Sequence, residues 1–508
     1  MIKLKQPLII NIPIRVLITT LLWLVARETF ATSVITNVTV IDAVNGIKTA
    51  QNVLFKEDEI VAVQAANIPY SATKQIDGKD KFLIPGLWDN HVHMTYDKRF
   101  TDIMPTLFLS YGVTSVRDTG GIMSQIKPVV DKLRAPGFIG PRIFFSGPLL
   151  DGHNPVYDGI EKKKLGIPNR TVDEAKKNVA LLKEQGVDFI KIYEMVSPEV
   201  FTALVDAANE HNLPIDSHVP LSMKASVAGA SVDSMQHLRN VEMDCTDNAE
   251  QLLKERLDIL QSNSEDPGFI LRSSLHRLQQ KKAIENYSEA HCNKTLTALS
   301  STQQVPTLRL NGFLRYQPFL RKDWKTSLDV LPEAVRQEWG YLEKELSKYP
   351  VSALEGELAL ANWSLFMTGL MHSANIPIAA GTDTPIGFGI PGYSLHSELE
   401  MLVRAGMSPL EALRAATVRG AEFFSLDEKL GTIEAGKKAD MVLLSKNPLE
   451  DITHTREIVG VISKGMYRSA DTLAELIETH QEYSESNRYL QTKNDIDALF
   501  RHCLVQSK

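Results

Sequence analysis

Apolar and polar positions change period along the 508-residue chain. Val34 to Asp42 alternates and is rich in β-branched residues. Gln51–Phe55 and Glu59–Val63 continue this around the polar Glu57-Asp58, so short strands are predicted over residues 33–84. From residue 85 the pattern becomes short apolar runs separated by helix-length segments. The runs include Gly112–Asp118, Pro141–Gly147, Val187–Tyr193, Leu213–Pro220, Ser231–His237 and Ile376–Asp383. Strands alternating with helices predict a parallel β/α architecture. Thr171 with Glu174, and Ser408 with Glu411, have the spacing of helix-opening capping boxes. Residues 241–370 are long, charged and mostly helical, and carry no recognisable chemistry. Lys437–Leu444 and Ile458–Gly465 read as strands again, and 466–508 as a polar helical tail.

Composition is that of a globular protein, 43% hydrophobic and 23% charged. The formal net charge of −7 gives no basis for nucleic acid as a partner. Residues 1–31 read as a secretory signal peptide: Lys3, Lys5 and Arg15 precede the apolar run Val16–Ala26, and Thr29-Phe30-Ala31 offers a cleavage site. The expected location is periplasmic or secreted, without stable membrane insertion after cleavage; an uncleaved N-terminal anchor is the alternative. Of three cysteines, Cys245 and Cys292 are open to pairing in an oxidising compartment.

The candidate chemistry lies at strand ends. His91 and His93 form His-x-His, and on a strand residues i and i+2 face the same way. Both imidazoles then point at one spot, as a metal ion requires; two incidental histidines are the bland reading. Lys191 stands among apolar neighbours near a strand end, either a functional lysine or a buried, ion-paired one. His218 and His237 end the two strands that follow, and Asp383 ends the apolar run from Ile376. Asp383 reads as a ligand or as a cap of the next helix. Arg117 and His153 also fall at strand-end or loop positions.

The stretch Leu83–Met94 resembles the first metal-binding strand of the amidohydrolase superfamily, P-G-[LF]-[IVW]-D-x-H-x-H. Gly431–Asp440 is similar to the closing signature of that family, G-x-[IL]-x-x-G-K-x-A-D. Phe189-Ile190-Lys191-Ile192, Gly381-Thr382-Asp383 and His396-Ser397-Glu398-Leu399 resemble further family motifs, and Val305-Pro306-Thr307-Leu308 its seventh strand. Many relatives have S-I-E-H-G where this chain has Ser234-Met235-Gln236-His237-Leu238. Contacts near His237 are therefore in doubt.

The resemblance, nearest to the prolidase-like and imidazolonepropionase-like branch, implies an α/β fold. A (β/α)8 TIM-like barrel would span 85–430, with an enlarged excursion at about 241–370. A small β-sandwich domain would be built from both chain ends, 32–84 and 431–465. It implies two divalent metal ions, zinc first. His91, His93 and Asp383 would hold one, His218 and His237 the other, and CO2-modified (carbamylated) Lys191 would bridge them. A metal-bridged hydroxide would attack an amide-like C–N bond in a small-molecule substrate, with Asp383 as the catalytic proton carrier. Arg117, His153 and Tyr193 are candidate substrate contacts for a carboxylate. A one-metal deaminase of the same superfamily and a lactonase or esterase are the alternatives, and a non-catalytic binding protein the remotest. A homo-oligomer is left open.

Overall fold

The computed structural model describes residues 32–160, 162–349 and 355–486. The proposed signal peptide and the tail beyond 486 lie outside them.

Both chain ends build one sheet. Its strands run in the order Met466–Ser469, Ile458–Ser463, Met441–Leu444, Phe82–Pro85, Ser33–Asp42, Gly46–Lys56 and Glu59–Ala65, and Lys74–Asp77 also pairs with Ser33–Asp42. The expected sandwich is thus one continuous eight-stranded sheet. The ends meet where Met441–Leu444 runs antiparallel to Phe82–Pro85, Met441 opposite Pro85. Alternation makes the shared core: Ile35, Val53, Phe55, Leu83, Met441, Leu443 and Ile462 pack in one buried cluster. The tail is less polar than its composition implies. Met466–Ser469 is a strand, and the helix Ala470–Ser486 buries Leu473 and Ile477.

Asp440 of the closing signature joins this sheet to the rest. Its Oδ2 accepts from Arg142 Nε at 2.6 Å, its Oδ1 from Lys464 N at 2.8 Å, and its carbonyl from Gly86 N at 2.9 Å. Arg142 also pairs with Asp58.

The remaining strands are parallel. Leu87–Val92, Val113–Asp118 and Arg142–Phe145 form a three-stranded sheet. A six-stranded sheet runs Gly166–Pro168, Leu149–Asp151, Ile190–Ile192, Ile215–Ser217, Ser234–Gln236, Gln303–Val305. Regular pairing therefore draws an α/β protein with two parallel sheets rather than one closed barrel. The run expected as an eighth strand lies between them with isolated bridges only, Gln304 to Ile378 and Val92 to Thr384. Its hydrogen bonds reach both sides: Ala379 N to Gln304 O at 2.9 Å, and Asp383 N to His91 O at 2.7 Å. The irregularity follows from close packing. Asp383 sits at φ +61°, outside strand geometry, and a Cβ on Gly381 would lie 2.6 Å from Val305 Cγ1 and 2.9 Å from His91 Cβ.

Helices pack outside the strands. Ser408 and Glu411 make the complete capping box. Thr171 caps Glu174 N, but the Glu174 carboxylate turns to Arg170 N at 2.7 Å, so that box is half-made. The 241–370 excursion contains the helices Ala249–Ser262, Gly268–Glu285, Glu289–Ala298 and Glu333–Leu346, and Cys245 is disulfide-bonded to Cys292.

Gly465 turns the chain between the last two strands at φ +73°, and a Cβ there would collide with the Glu57 carbonyl oxygen. Gly465→Ala is expected to lower stability by about 2 kcal/mol or more. A thermal-unfolding midpoint equal to wild type would show that the junction between the chain ends tolerates the shift.

Candidate active site

The parallel strands deliver four imidazoles and a carboxylate to one buried point. His91 lies in Leu87–Val92 and His93 just beyond it; His218 and His237 follow Ile215–Ser217 and Ser234–Gln236 directly. All four are buried. Neighbouring ring centroids are 5.2 Å apart for His91–His93, 4.6 Å for His91–His237 and 4.8 Å for His218–His237.

Each Nδ1 has its own partner. His91 Nδ1 lies 2.6 Å from Gln236 Oε1, and His93 Nδ1 3.1 Å from Gly120 O. His218 Nδ1 is 2.7 Å from Glu194 Oε1, and His237 Nδ1 2.7 Å from Thr307 Oγ1. The carbonyl and carboxylate acceptors put the proton on Nδ1 of His91, His93 and His218, while the Thr307 hydroxyl serves His237 in either direction. Each Nε2 is then turned to the site, the arrangement found behind metal-ligating histidines.

Asp383 faces the Nε2 atoms. Its Oδ1 is 3.3 Å from His91 Nε2 and 3.1 Å from His93 Nε2, and its Oδ2 is 3.9 Å from His237 Nε2. Oδ1 is buried and makes no well-formed hydrogen bond. Ligand atoms of His91, His237 and Asp383 all lie within 4.8 Å of one another. Burial presses the Asp383 carboxyl upward, but the imidazoles of His91, His93 and His237 outweigh it and hold it well below the usual range. Burial lowers His91 and His237, and takes His218 to about 4. His93 goes the other way, its burial outweighed by Asp383 and Asp118. Three imidazoles held neutral, an ionised carboxylate and an orphaned buried oxygen fit a divalent cation.

Lys191 is a buried, ion-paired lysine here: Nζ lies 2.7 Å from Asp216 Oδ2. Burial brings its pKa down to about 8 against the pull of Asp216. The other Asp216 oxygen accepts from Gln236 Nε2 at 2.6 Å, so Lys191, Asp216, Gln236 and His91 form one chain. Gln236 lies in the stretch, Ser234 to Leu238, that departs from the resembled family motif, and its amide bridges a carboxylate and an imidazole.

The proposed substrate contacts part company. Arg117 is fully buried beneath the imidazoles. It donates to Asn90 O at 2.8 Å and Ser234 Oγ at 3.3 Å, lies 3.7 Å from Asp216, and packs over Phe423. It is placed to support Asp216 rather than to meet a substrate carboxylate. His153 is exposed on its loop. Tyr193 is at the site, its ring 4.4 Å from that of His218. Sequence reasoning missed Glu194, Asp216, Thr307 and Asp89. Asp89 accepts from Thr382 N at 2.9 Å and Thr382 Oγ1 at 2.5 Å, setting the approach to Asp383.

Comparison with known proteins points to the same class of fold. Residues 365–467 match the Amidohydrolase family. Over that stretch the chain is similar to the amidohydrolases, the family its sequence motifs resemble, and the likeness supports a hydrolase. The ochratoxinase of Aspergillus niger is 23% identical over 453 residues, 78% of this chain and 77% of that protein. A Xaa-Pro dipeptidase with methionine bound in its active site shares the fold with a TM-score of 0.61 at 19% identity, over 86% of this chain and all of the other. A bottromycin amidohydrolase gives 0.67 at 20% identity, over 89% and 90%.

Removing the Gln236 carbonyl frees His91 Nδ1 and unties Asp216. Gln236→Leu is therefore expected to weaken zinc binding by about 10- to 100-fold, read by chelator competition. Unchanged affinity would show that the amide orients nothing.

Proposed function

We propose that the chain hydrolyses an amide C–N bond of a small molecule at a site holding two divalent cations, zinc first. The observation that carries this is the cluster of four Nδ1-bonded imidazoles, with His91 and His93 Nε2 against the orphaned Asp383 Oδ1, His237 Nε2 near its Oδ2, and the His218 ring beside that of His237. In this reading the parallel sheets close as a (β/α)8 barrel. His91, His93 and Asp383 would hold one cation and His218 and His237 the other; Lys191, on leaving Asp216 and losing its proton, would take up CO2 as a carbamate and join the ligand set. The cations would acidify water and polarise the scissile carbonyl. Asp383, kept ionised by its imidazoles, takes the proton from the attacking water and delivers it to the departing nitrogen. Tyr193 walls the site beside His218.

A one-metal reading has its own support. The tightest set is His91, His237 and Asp383, and Lys191 is held as an ammonium by Asp216. Export rests on the proposed signal peptide; among the described residues no helix is long and apolar enough to cross a membrane.

Since the Xaa-Pro dipeptidase neighbour holds an amino acid, N-acyl amino acids and Xaa-Pro dipeptides are the first substrates to assay. Hydrolysis is expected with zinc-loaded protein, abolished by a chelator and restored by zinc. Asp383→Asn is expected to lower kcat by about 10²- to 10⁴-fold. Turnover that survives chelation, or an Asp383→Asn variant with wild-type kcat, would contradict the reading.

A further inference from the structure

Two helices of the 241–370 excursion reach the strand ends that carry His218 and His237. In Gly268–Glu285, Arg272 and His276 stand four residues apart on one face and meet Glu194. Glu194 is fully buried two residues past the strand Ile190–Ile192. Its Oε1 takes His218 Nδ1 at 2.7 Å, and its Oε2 lies 3.1 Å from Arg272 Nε and 3.3 Å from His276 Nε2. In Ala249–Ser262, Arg256 donates to Gln279 Oε1 of the neighbouring helix at 2.8 Å and to Asn240 Oδ1 at 3.0 Å. Asn240 in turn donates to Val219 O at 3.1 Å. Asn240 lies just past His237, and Val219 directly follows His218. His91 and His93 have no such backing. They rest on Gln236 and Gly120, both outside these helices.

A carboxylate behind an imidazole sets the ring plane and the direction of Nε2 only if the carboxylate itself is held. The terminal torsion of a glutamate is broad, so one hydrogen bond leaves the group free to turn. A buried carboxylate with an unpaired oxygen is also costly. Contacts from Arg272 and His276 to Oε2 answer both problems. They offset the buried charge, and they fix the second oxygen so that Oε1 keeps facing His218.

We propose that Arg272 and His276 are positioning residues: acting through Glu194, they hold the His218 ring with its Nε2 turned to the cation site. This rests on the reading of the site as a metal centre. The excursion then supplies the outer support for the His218 and His237 half of the site, while Gln236 and Gly120 support the other half. A stretch without recognisable chemistry in its sequence thereby tunes how well the site holds a cation.

The test measures zinc affinity by chelator competition for wild type, Arg272→Met, Arg272→Lys and His276→Leu, beside Leu275→Ala. Leu275 is buried in the same helix and takes no part in the contacts to Glu194. Arg272→Met is expected to weaken zinc binding about 10-fold, the low end for a group behind a metal ligand. Arg272→Lys and His276→Leu should weaken it less. Leu275→Ala should lower the thermal midpoint and leave zinc affinity unchanged. Equal losses in Arg272→Met and Leu275→Ala, or none in either, would overturn the assignment and leave both residues as helix anchors. Should Arg272→Met fail to fold, His276→Leu is read in its place. A second measurement needs no metal. The His218 Nδ1 proton, held by a buried carboxylate, gives a downfield imidazole N–H resonance in metal-free protein, assigned by its loss in His218→Gln. It is expected in wild type, Arg272→Lys and Leu275→Ala, and lost or broadened in Arg272→Met. If wild type binds no zinc, the metal-centre reading fails by itself and the resonance decides. That same pattern supports the positioning role; a resonance absent from wild type, or unchanged in Arg272→Met, overturns it.

Discussion

Everything at the centre of this protein depends on which nitrogen of each histidine is already spoken for. A buried imidazole has two ring nitrogens and must satisfy both, or leave one for a ligand. Here Gln236, Gly120, Glu194 and Thr307 each take an Nδ1, so the Nε2 edges are left for the site, three of them facing the ionised Asp383 carboxylate. Without a cation the carboxylate oxygen of Asp383 has no hydrogen bond of its own. An unbonded buried carboxylate oxygen is costly, and the surrounding fold has to hold it in place.

The fold does so through a few long-range ties. Asp383 leaves strand geometry at φ +61° just after Gly381, whose lack of a Cβ lets the chain pass against His91 and Val305. Thr307 reaches His237 from a left-handed backbone, and Glu398 accepts from the next two backbone nitrogens, Leu308 and Arg309, at 2.9 and 2.7 Å. Beneath the imidazoles, Arg117 and Lys191 both face Asp216 and hold its carboxyl down to about 2 despite burial. At the other end of the strands, Arg142 and Asp440 fasten the sheet built from both chain ends.

The strand-end histidines and Asp383 were legible because a strand's last residue is dictated by local pattern, and H-x-H puts two side chains on one face. The sheet from the chain ends was legible for a similar reason: both stretches alternate, and neither can bury its apolar face alone. What escaped was set by distance. Thr307 lies 70 positions from His237, and Arg272 meets Glu194 through a helix whose charged surface looks like any solvated one. Arg117 misled because a strand-end arginine reads the same whether it faces a substrate or a buried aspartate. Lys191 is similar: the pattern marks it as unusual, but its pairing with Asp216 depends on a residue 25 positions away that no local pattern reveals. The eighth strand was legible as an apolar run, but its irregular backbone follows from packing against His91, which no local pattern carries.

The account turns on whether Lys191 leaves Asp216 to join two cations. The direct measurement is metal content per chain, by elemental analysis, of wild type and Lys191→Ala purified with zinc and bicarbonate. Two ions in wild type and a clear loss in the variant are the predicted result. One ion in both, indifferent to Lys191, would contradict the two-cation centre and leave a single metal among His91, His237 and Asp383.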